Sequence, residues 1–122
     1  MKLRFDHQSI RLRVKKSDIE KLSREGFIEE TVHFPQGKLF YRLEIGADST
    51  EVTADIRHET IAVQIPQTQA NTWMTSEEVG IYASVPSAKT EILLEILVEK
   101  DFPCKHGSTA DNADSFEELG KS

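Results

Sequence analysis

The chain has 122 residues, which fits a single domain and is long enough to bury a hydrophobic core. Its hydrophobic fraction of 38% and charged fraction of 30% are typical of a globular protein with a well-hydrated surface. The net charge of −6 argues against sequence-independent binding to nucleic acid or to anionic membranes, because both require a cationic surface.

The sequence also argues against a membrane-spanning helix and a signal peptide. No run approaches the roughly 18 apolar residues that a membrane-spanning helix needs, and residues 1–6 lack the apolar region of a signal peptide. The single cysteine, Cys104, cannot form an internal disulfide. These features predict a cytoplasmic protein in a reducing compartment.

The first segments of the chain predict a β-hairpin. Residues 2–5 and 10–14 each alternate polar and apolar side chains, and residues 6–9 suit a turn. In the register that places Arg4 opposite Arg11, all apolar side chains share one face. The other face then carries four cations, here called the cationic face: Lys2, Arg4, Arg11 and Arg13.

Two short helices are expected. Ser17 and Glu20 have capping-box spacing, so a helix over residues 18–24 is predicted, ending at Gly26. Pro66 suits the first position of a second helix, on which Ala70, Trp73 and Met74 form an apolar stripe. Residues 75–78 match a capping box as well, but the strand-like segment 79–85 that follows indicates a false match.

The remaining segments predict strands. Residues 27–34 and 39–45 are rich in β-branched and aromatic side chains and are separated by Pro35-Gln36-Gly37. Residues 51–57 and 60–65 predict a second hairpin around His58-Glu59.

Residues 91–102 form the longest apolar stretch and predict a central strand. Its apolar face consists of Ile92, Leu94, Ile96 and Val98. Its mixed face carries three carboxylates, Glu91, Glu95 and Glu99.

About eight strands and two short helices predict a mainly β protein on the border of α+β, folded as an antiparallel barrel or a strongly curved sheet. A two-layer α+β sandwich is the alternative. Residues 1–104 are expected to form the compact domain, and the polar residues 105–122 a disordered tail. No internal repeat at a fixed period is evident.

Several segments together resemble a group of small bacterial β-rich proteins classed as a domain of unknown function. The resemblance rests on the Ser9–Val14 run followed by Lys16-Ser17-Asp18, the Ile65-Pro66 step, Trp73, and residues 99–104. It covers roughly residues 1–104 and implies a compact bacterial cytoplasmic protein. No activity, ligand or catalytic residue comes with it.

The cationic face is the most specific candidate for function, since like charges placed opposite one another destabilise a sheet unless something compensates. Glu91, Glu95 and Glu99 of the central strand offer a neutralising cross-strand ladder. Alternatively, the guanidinium groups form a site for phosphate or carboxylate. Plain solvation of the four charges is a third interpretation.

Other constellations carry weaker signals. Cys104 and His106 are candidate zinc ligands, with His7, His33 or His58 as partners, but the spacing of paired ligands in a structural zinc site is missing. Cys104 as a nucleophile would lie at the start of a mobile tail, so an inert thiol is the preferred interpretation. The aromatic residues mostly fit core positions, although Phe40 beside Arg42 also suits stacking of a base.

The absence of a convincing catalytic set favours a non-enzymatic binding or protein-interaction module without a cofactor, working through a sheet face or edge, with an unidentified protein or a second copy as partner. The alternative is a barrel that binds a small anionic ligand through the cationic face, with activity on a phosphorylated compound as one possibility.

Overall fold

The computed structural model describes residues 1–101, which are mainly β. Helix α1 spans Lys16–Glu25 and helix α2 spans Gln67–Thr75. The eight strands are β1 (Lys2–Asp6), β2 (Ser9–Val14), β3 (Phe27–Phe34), β4 (Gly37–Gly46), β5 (Thr53–Arg57), β6 (Thr60–Pro66), β7 (Gly80–Pro86) and β8 (Leu93–Lys100). The prediction of eight strands and two short helices is confirmed.

The strands form two four-stranded sheets. Sheet 1 has the order β1-β2-β8-β7, and sheet 2 has the order β3-β4-β6-β5. Each sheet joins two antiparallel hairpins through a parallel pair at its centre, β2 with β8 and β4 with β6. An all-antiparallel arrangement was therefore wrong for these two pairs. Helix α1 leads from β2 of sheet 1 into β3 of sheet 2, and helix α2 leads from β6 of sheet 2 into β7 of sheet 1. These crossings allow the two central strands of each sheet to run in the same direction.

The predicted register of the first hairpin is confirmed, with Arg4 opposite Arg11 and Phe5 opposite Ile10. The predicted central strand is also central in the structure, because β8 lies between β2 and β7. It is shorter than expected, since Ile92 precedes the strand and is 39% exposed.

The two halves of the described chain repeat the same unit of hairpin, helix and hairpin. Sheet 1 contains the first hairpin of the first half (β1-β2) and the second hairpin of the second half (β7-β8). Sheet 2 contains the second hairpin of the first half (β3-β4) and the first hairpin of the second half (β5-β6). The registers agree as well: Leu12 pairs with Val98 in sheet 1, and Val63 pairs with Leu43 in sheet 2. The β3–β4 turn is short and the 87–92 loop is long, so the repeat has no fixed period and the sequence pattern did not reveal it.

The inner faces of both sheets and the buried sides of both helices form one hydrophobic core. Helix α1 contributes Leu22 and helix α2 contributes Ala70 and Trp73, all fully buried. Trp73 Nε1 donates a hydrogen bond to the carbonyl of Val79 at 3.2 Å, so the indole is buried without losing its polar partner.

Both predicted helix starts shift in the structure. Helix α1 begins two residues before the predicted position: its N-cap is Lys15, whose backbone N–H donates to Asp18 at 2.9 Å, and Ser17 lies inside the helix. Pro66 is the N-cap of α2 and the last residue of β6 instead of the first helical residue. Gly26 ends α1 in the left-handed conformation, as predicted, with a φ of 84°.

The topology separates two ends of the molecule. Both helices lie at one end, here called the helix end. The four hairpin connections, at residues 7–8, 35–36, 58–59 and 87–92, lie at the other, here called the hairpin end. Neither helix within residues 1–101 combines the length and apolarity needed to cross a membrane. The predicted tail at 105–122, together with Cys104 and His106, falls outside the described residues.

Candidate functional site

The cationic face lies on the outer side of sheet 1, on strands β1 and β2. Because Lys2 pairs with Arg13 and Arg4 with Arg11, the four cations form two adjacent rows. This placement follows from the alternation in the sequence and confirms that the four side chains share one face.

Carboxylates neutralise most of this face. Strand β8 lies beside β2, and its Glu99 pairs in register with Arg13. Oε1 of Glu99 lies 3.1 Å from Nε of Arg11 and 3.8 Å from Nε of Arg13. Nζ of Lys2 lies 3.5 Å from the carboxylate of Asp101. Three of the four cations therefore have a carboxylate partner.

The other two carboxylates of the expected ladder have different surroundings. Glu95 lies opposite Ser9 and accepts a hydrogen bond from Oγ of Ser84 at 2.5 Å. Glu91 precedes β8 and lies outside the strand. Asp101, which completes the neutralisation, was missed. In the sequence, Asp101 comes just after the central strand. Predicting that it lies near Lys2 requires knowing that β8 runs parallel to β2.

Tyr82 completes the polar network of this face. Its hydroxyl donates a hydrogen bond to Oε2 of Glu99 at 2.9 Å. Burial, the hydrogen bond to Glu99 and the negative charge of that carboxylate all raise the pKa of Tyr82, while Arg11 and Arg13 lower it. The phenol is thereby kept as a hydrogen-bond donor that orients Glu99 towards the arginines.

Arg4 is the cation with the fewest constraints, since no carboxylate of residues 1–101 forms an ion pair with it. It lines a hollow of about 60 Å³ with Asp6, Ser9 and Arg11. Ligand pockets usually measure about 300–1,000 Å³, so this hollow accommodates an ion or a few waters. The anion site on Lys2, Arg4, Arg11 and Arg13 stays a prediction, with its concave part limited to Arg4 and Arg11.

The hairpin end carries a second candidate surface, which sequence reasoning missed. Six large apolar side chains are exposed there, and Phe5 at 59% and Ile56 at 74% are the most exposed. The other four are Val32, Phe34, Ile92 and Leu93. The expectation that the aromatic residues mostly fill core positions was wrong: within residues 1–101, only Trp73 and Tyr41 belong to the core. Phe5 and Phe34 are exposed at the hairpin end, and Tyr82 on the outer face of sheet 1 is 54% exposed.

Two of these side chains, Phe5 and Ile56, lie at an opening between the two sheets. A cavity of about 430 Å³ lies at the hairpin end between residues of both sheets. Phe5 and Ile10 line it from sheet 1, Ile56 and Ile61 from sheet 2. Phe5 and Ile56 occupy equivalent positions in the repeat, because each pairs with the isoleucine that follows its hairpin turn. Neither α1 nor α2 covers this end, and both side chains are exposed in the described part of the chain.

The remaining candidates are not brought together. Within residues 1–101, no group of three or more His, Asp or Glu side chains is placed to hold a metal ion. Cys104 and His106 cannot be placed, since they lie beyond the described part of the chain. Arg42 stacks on the ring of Phe27, with its guanidinium carbon 4.0 Å from the ring centroid.

Comparison with known proteins identifies the family but no activity. A family model described as a family of unknown function (DUF7009) matches residues 1–119, and the chain belongs to that family. No curated protein and no solved structure matches the chain.

Proposed function

We propose that this member of a family of unknown function is a non-enzymatic protein-interaction module whose hairpin end binds a second copy of the chain. Phe5 and Ile56, which are exposed and line the same cavity, support the proposal, and four further exposed apolar side chains lie at that end. Large apolar groups clustered on one surface are typical of protein-binding sites, whereas singly scattered ones need no explanation. The cavity between the sheets is lined mainly by apolar side chains, which suits the insertion of a partner's side chain.

The charges beside the two most exposed residues favour a second copy as the partner. Phe5 is followed by Asp6, and Ile56 at the equivalent position is followed by Arg57. In a two-fold symmetric contact, residue i of one copy meets residue j of the other, and j meets i. Two hairpin ends that meet in this way can place Asp6 of each copy against Arg57 of its partner, while the apolar side chains are buried between them.

Sedimentation equilibrium tests this proposal. The protein should form a dimer, and Ile56→Lys should weaken dimerisation at least about tenfold because it places a charge in the apolar contact. Tyr82→Lys is the matched control, since Tyr82 is also a large exposed hydrophobic side chain but lies on the outer face of sheet 1. That variant should dimerise like the wild type.

A charge exchange makes the test specific for the proposed geometry. Asp6→Arg alone should weaken the dimer, and the double variant Asp6→Arg with Arg57→Asp should restore it. A wild-type protein that stays monomeric at concentrations up to about 1 mM would contradict self-association. A dimer that is insensitive to Ile56→Lys would show that another surface is used.

The alternative function is the binding of a small anion, favoured by the exposed Arg4 and its hollow. Inorganic phosphate or pyrophosphate would bind between Arg4 and Arg11 and raise the melting temperature. Arg4→Ala should abolish that shift, whereas Lys38→Ala, which removes an exposed cation from sheet 2, should leave it unchanged. Equal shifts in all three proteins would exclude this site.

Two finer features belong with the proposal. We infer that the two sheets curve towards each other as in a barrel, supported by the hydrogen bond from the Tyr41 hydroxyl on β4 to the carbonyl of Met1 at 3.0 Å. The cavity also brings Ile56 of sheet 2 near Val85 of sheet 1. A cytoplasmic location and a bacterial origin stay predictions.

A further inference from the structure

The outer face of sheet 2 contains a cavity of about 280 Å³. Its floor is Ala62 on β6. The register places Arg42 of β4 on one side of Ala62 and Asp55 of β5 on the other. The remaining lining residues are Glu44, Thr53, Arg57, Thr60 and Gln64.

The internal repeat explains why this cavity exists. On the outer face of sheet 1, the position equivalent to Ala62 is Arg11, which pairs with Arg4 and Leu97. The hollow there measures only about 60 Å³. Sheet 2 therefore has the methyl group of Ala62 at the position where sheet 1 has the long side chain of Arg11. The cavity results from this difference between two otherwise equivalent faces.

Arg42 is held in place beside this opening. Its guanidinium lies over the ring of Phe27, and its Nε and Nη1 each lie 3.3 Å from a carboxylate oxygen, of Glu44 and of Glu29 respectively. Within residues 1–101, Nη2 has no hydrogen-bond or ion-pair partner and can donate to a ligand. A side chain fixed in this way loses little conformational entropy when a ligand binds.

The other walls offer both donors and acceptors. Asp55 and Glu44 accept hydrogen bonds, Arg57 donates them, and Gln64 does both. Nε of Arg57 contacts Asp55 on one side of the floor, and Nε2 of Gln64 donates to Glu44 at 3.4 Å on the other, so each wall holds its own polar pair.

The charges of the lining indicate the class of ligand. Two guanidinium groups, of Arg42 and Arg57, are balanced by two carboxylates, of Glu44 and Asp55. The cavity therefore has no excess of positive charge to attract an anionic ligand and no excess of negative charge to attract a cationic one. A hydroxyl group, in contrast, can donate to a carboxylate and accept from a guanidinium at the same time.

We propose that this cavity binds a small neutral polyol of about the size of a monosaccharide. Its volume of about 280 Å³ lies just below the range of about 300–1,000 Å³ for ligand sites, which suits a ligand of that size. The site lies on the outer face of sheet 2 and shares Arg57 with the dimer contact proposed above.

The test is an NMR titration of the full-length protein with glucose, galactose, mannose and inositol. At least one should bind with a Kd in the millimolar range and shift the backbone amides of residues 42, 55 and 62, but not those of residues 4, 11 and 97. Ala62→Arg should weaken binding at least about tenfold by filling the cavity. Arg11→Ala, the matched change on sheet 1, should leave binding unchanged.

Ala62→Arg is expected to fold, because sheet 1 accommodates an arginine at the same register and Asp55, which already contacts Arg57, has a second carboxylate oxygen that can accept from the new side chain. If that variant is unstable, Asp55→Asn tests the same site with almost no change in shape and should also weaken binding. The absence of shifts at about 50 mM of every polyol would overturn the proposal. Binding that persists in both variants, or shifts at this site with phosphate or glycine alone, would overturn it as well.

Discussion

Replacing Glu99 with glutamine tests whether neutralisation by this one carboxylate stabilises sheet 1. Glu99 is the common partner of Arg11 and Arg13 and accepts a hydrogen bond from Tyr82. Glutamine keeps the size of the side chain and removes its charge. The variant leaves Arg11 and Arg13 next to Arg4 and Lys2 without the central carboxylate, so the repulsion between the cations is no longer offset.

The expected loss follows from the distances and the exposure of the pair. Two unit charges 3.1 Å apart attract each other by about 5 kcal/mol at an effective dielectric constant of about 20. Glu99 is only 15% exposed, but Arg11 is 33% exposed, so solvent screening and the cost of desolvation offset most of this attraction. Nε of Arg11 and Oε1 of Glu99 form an ion pair without hydrogen-bond geometry, and solvent-accessible ion pairs contribute about 0.2–1 kcal/mol each, of which Glu99 makes two. We therefore expect Glu99→Gln to lower the free energy of unfolding by about 1–2 kcal/mol.

Urea unfolding of the wild type and the variant measures this difference. Glu95→Gln is the control, because Glu95 contacts Ser84 instead of an arginine, and it should change stability by less than about 0.5 kcal/mol. The loss in Glu99→Gln should shrink in about 1 M NaCl, where the Debye length is about 3 Å. A loss no larger than that of Glu95→Gln would refute the role assigned to Glu99.

Two further predictions concern backbone strain and alkaline pH. His7 and His58 have φ values of 54° and 55°, in the left-handed region that glycine adopts more readily than other residues. His7→Gly and His58→Gly should therefore each raise the free energy of unfolding by about 0.5–1 kcal/mol in urea titrations. A loss of stability in both variants would contradict the assigned strain. Burial first, and carboxylates second, raise the pKa of Tyr41 and Tyr82 above 10.0, so the phenolate absorbance of the folded protein should rise only above that pH. The folded state then holds protons that the unfolded state releases, and stability should fall as pH increases beyond about 10; a midpoint at 10.0 for both tyrosines would contradict this.

Much of the local structure could be predicted because each hairpin is specified by neighbouring residues. The alternation around His7 fixes the partner of every residue in the first hairpin, since a shift by one residue would mix apolar side chains and cations on both faces. Gly26 ends the first helix because the conformation needed there suits glycine. The cationic face was predictable for the same reason, as it requires only the pairing of two adjacent strands.

The arrangement of the hairpins could not be predicted in this way. The parallel pairing of β2 with β8 joins residues that lie far apart in the chain, and no local pattern specifies it. The partners of the cationic face depend on that pairing, so Glu99 could be proposed but Asp101 could not. The exposure of Phe5 and Ile56 could not be predicted either. An apolar residue near the end of a strand gives the same sequence pattern whether or not another element covers its side chain.

The internal repeat separates the demands of folding from those of function. At inward positions the two halves keep equivalent residues: Leu12 corresponds to Val63 and Ile28 to Ile81, all buried, because both halves must fill the same core. At outward positions packing imposes no such demand, and the equivalent residues differ in charge, as in Arg4 and Asp55. Sheet 1 therefore presents a cationic face and sheet 2 a balanced polar cavity on the same backbone. Because these outward differences are not needed for packing, they are the positions at which binding should be tested first.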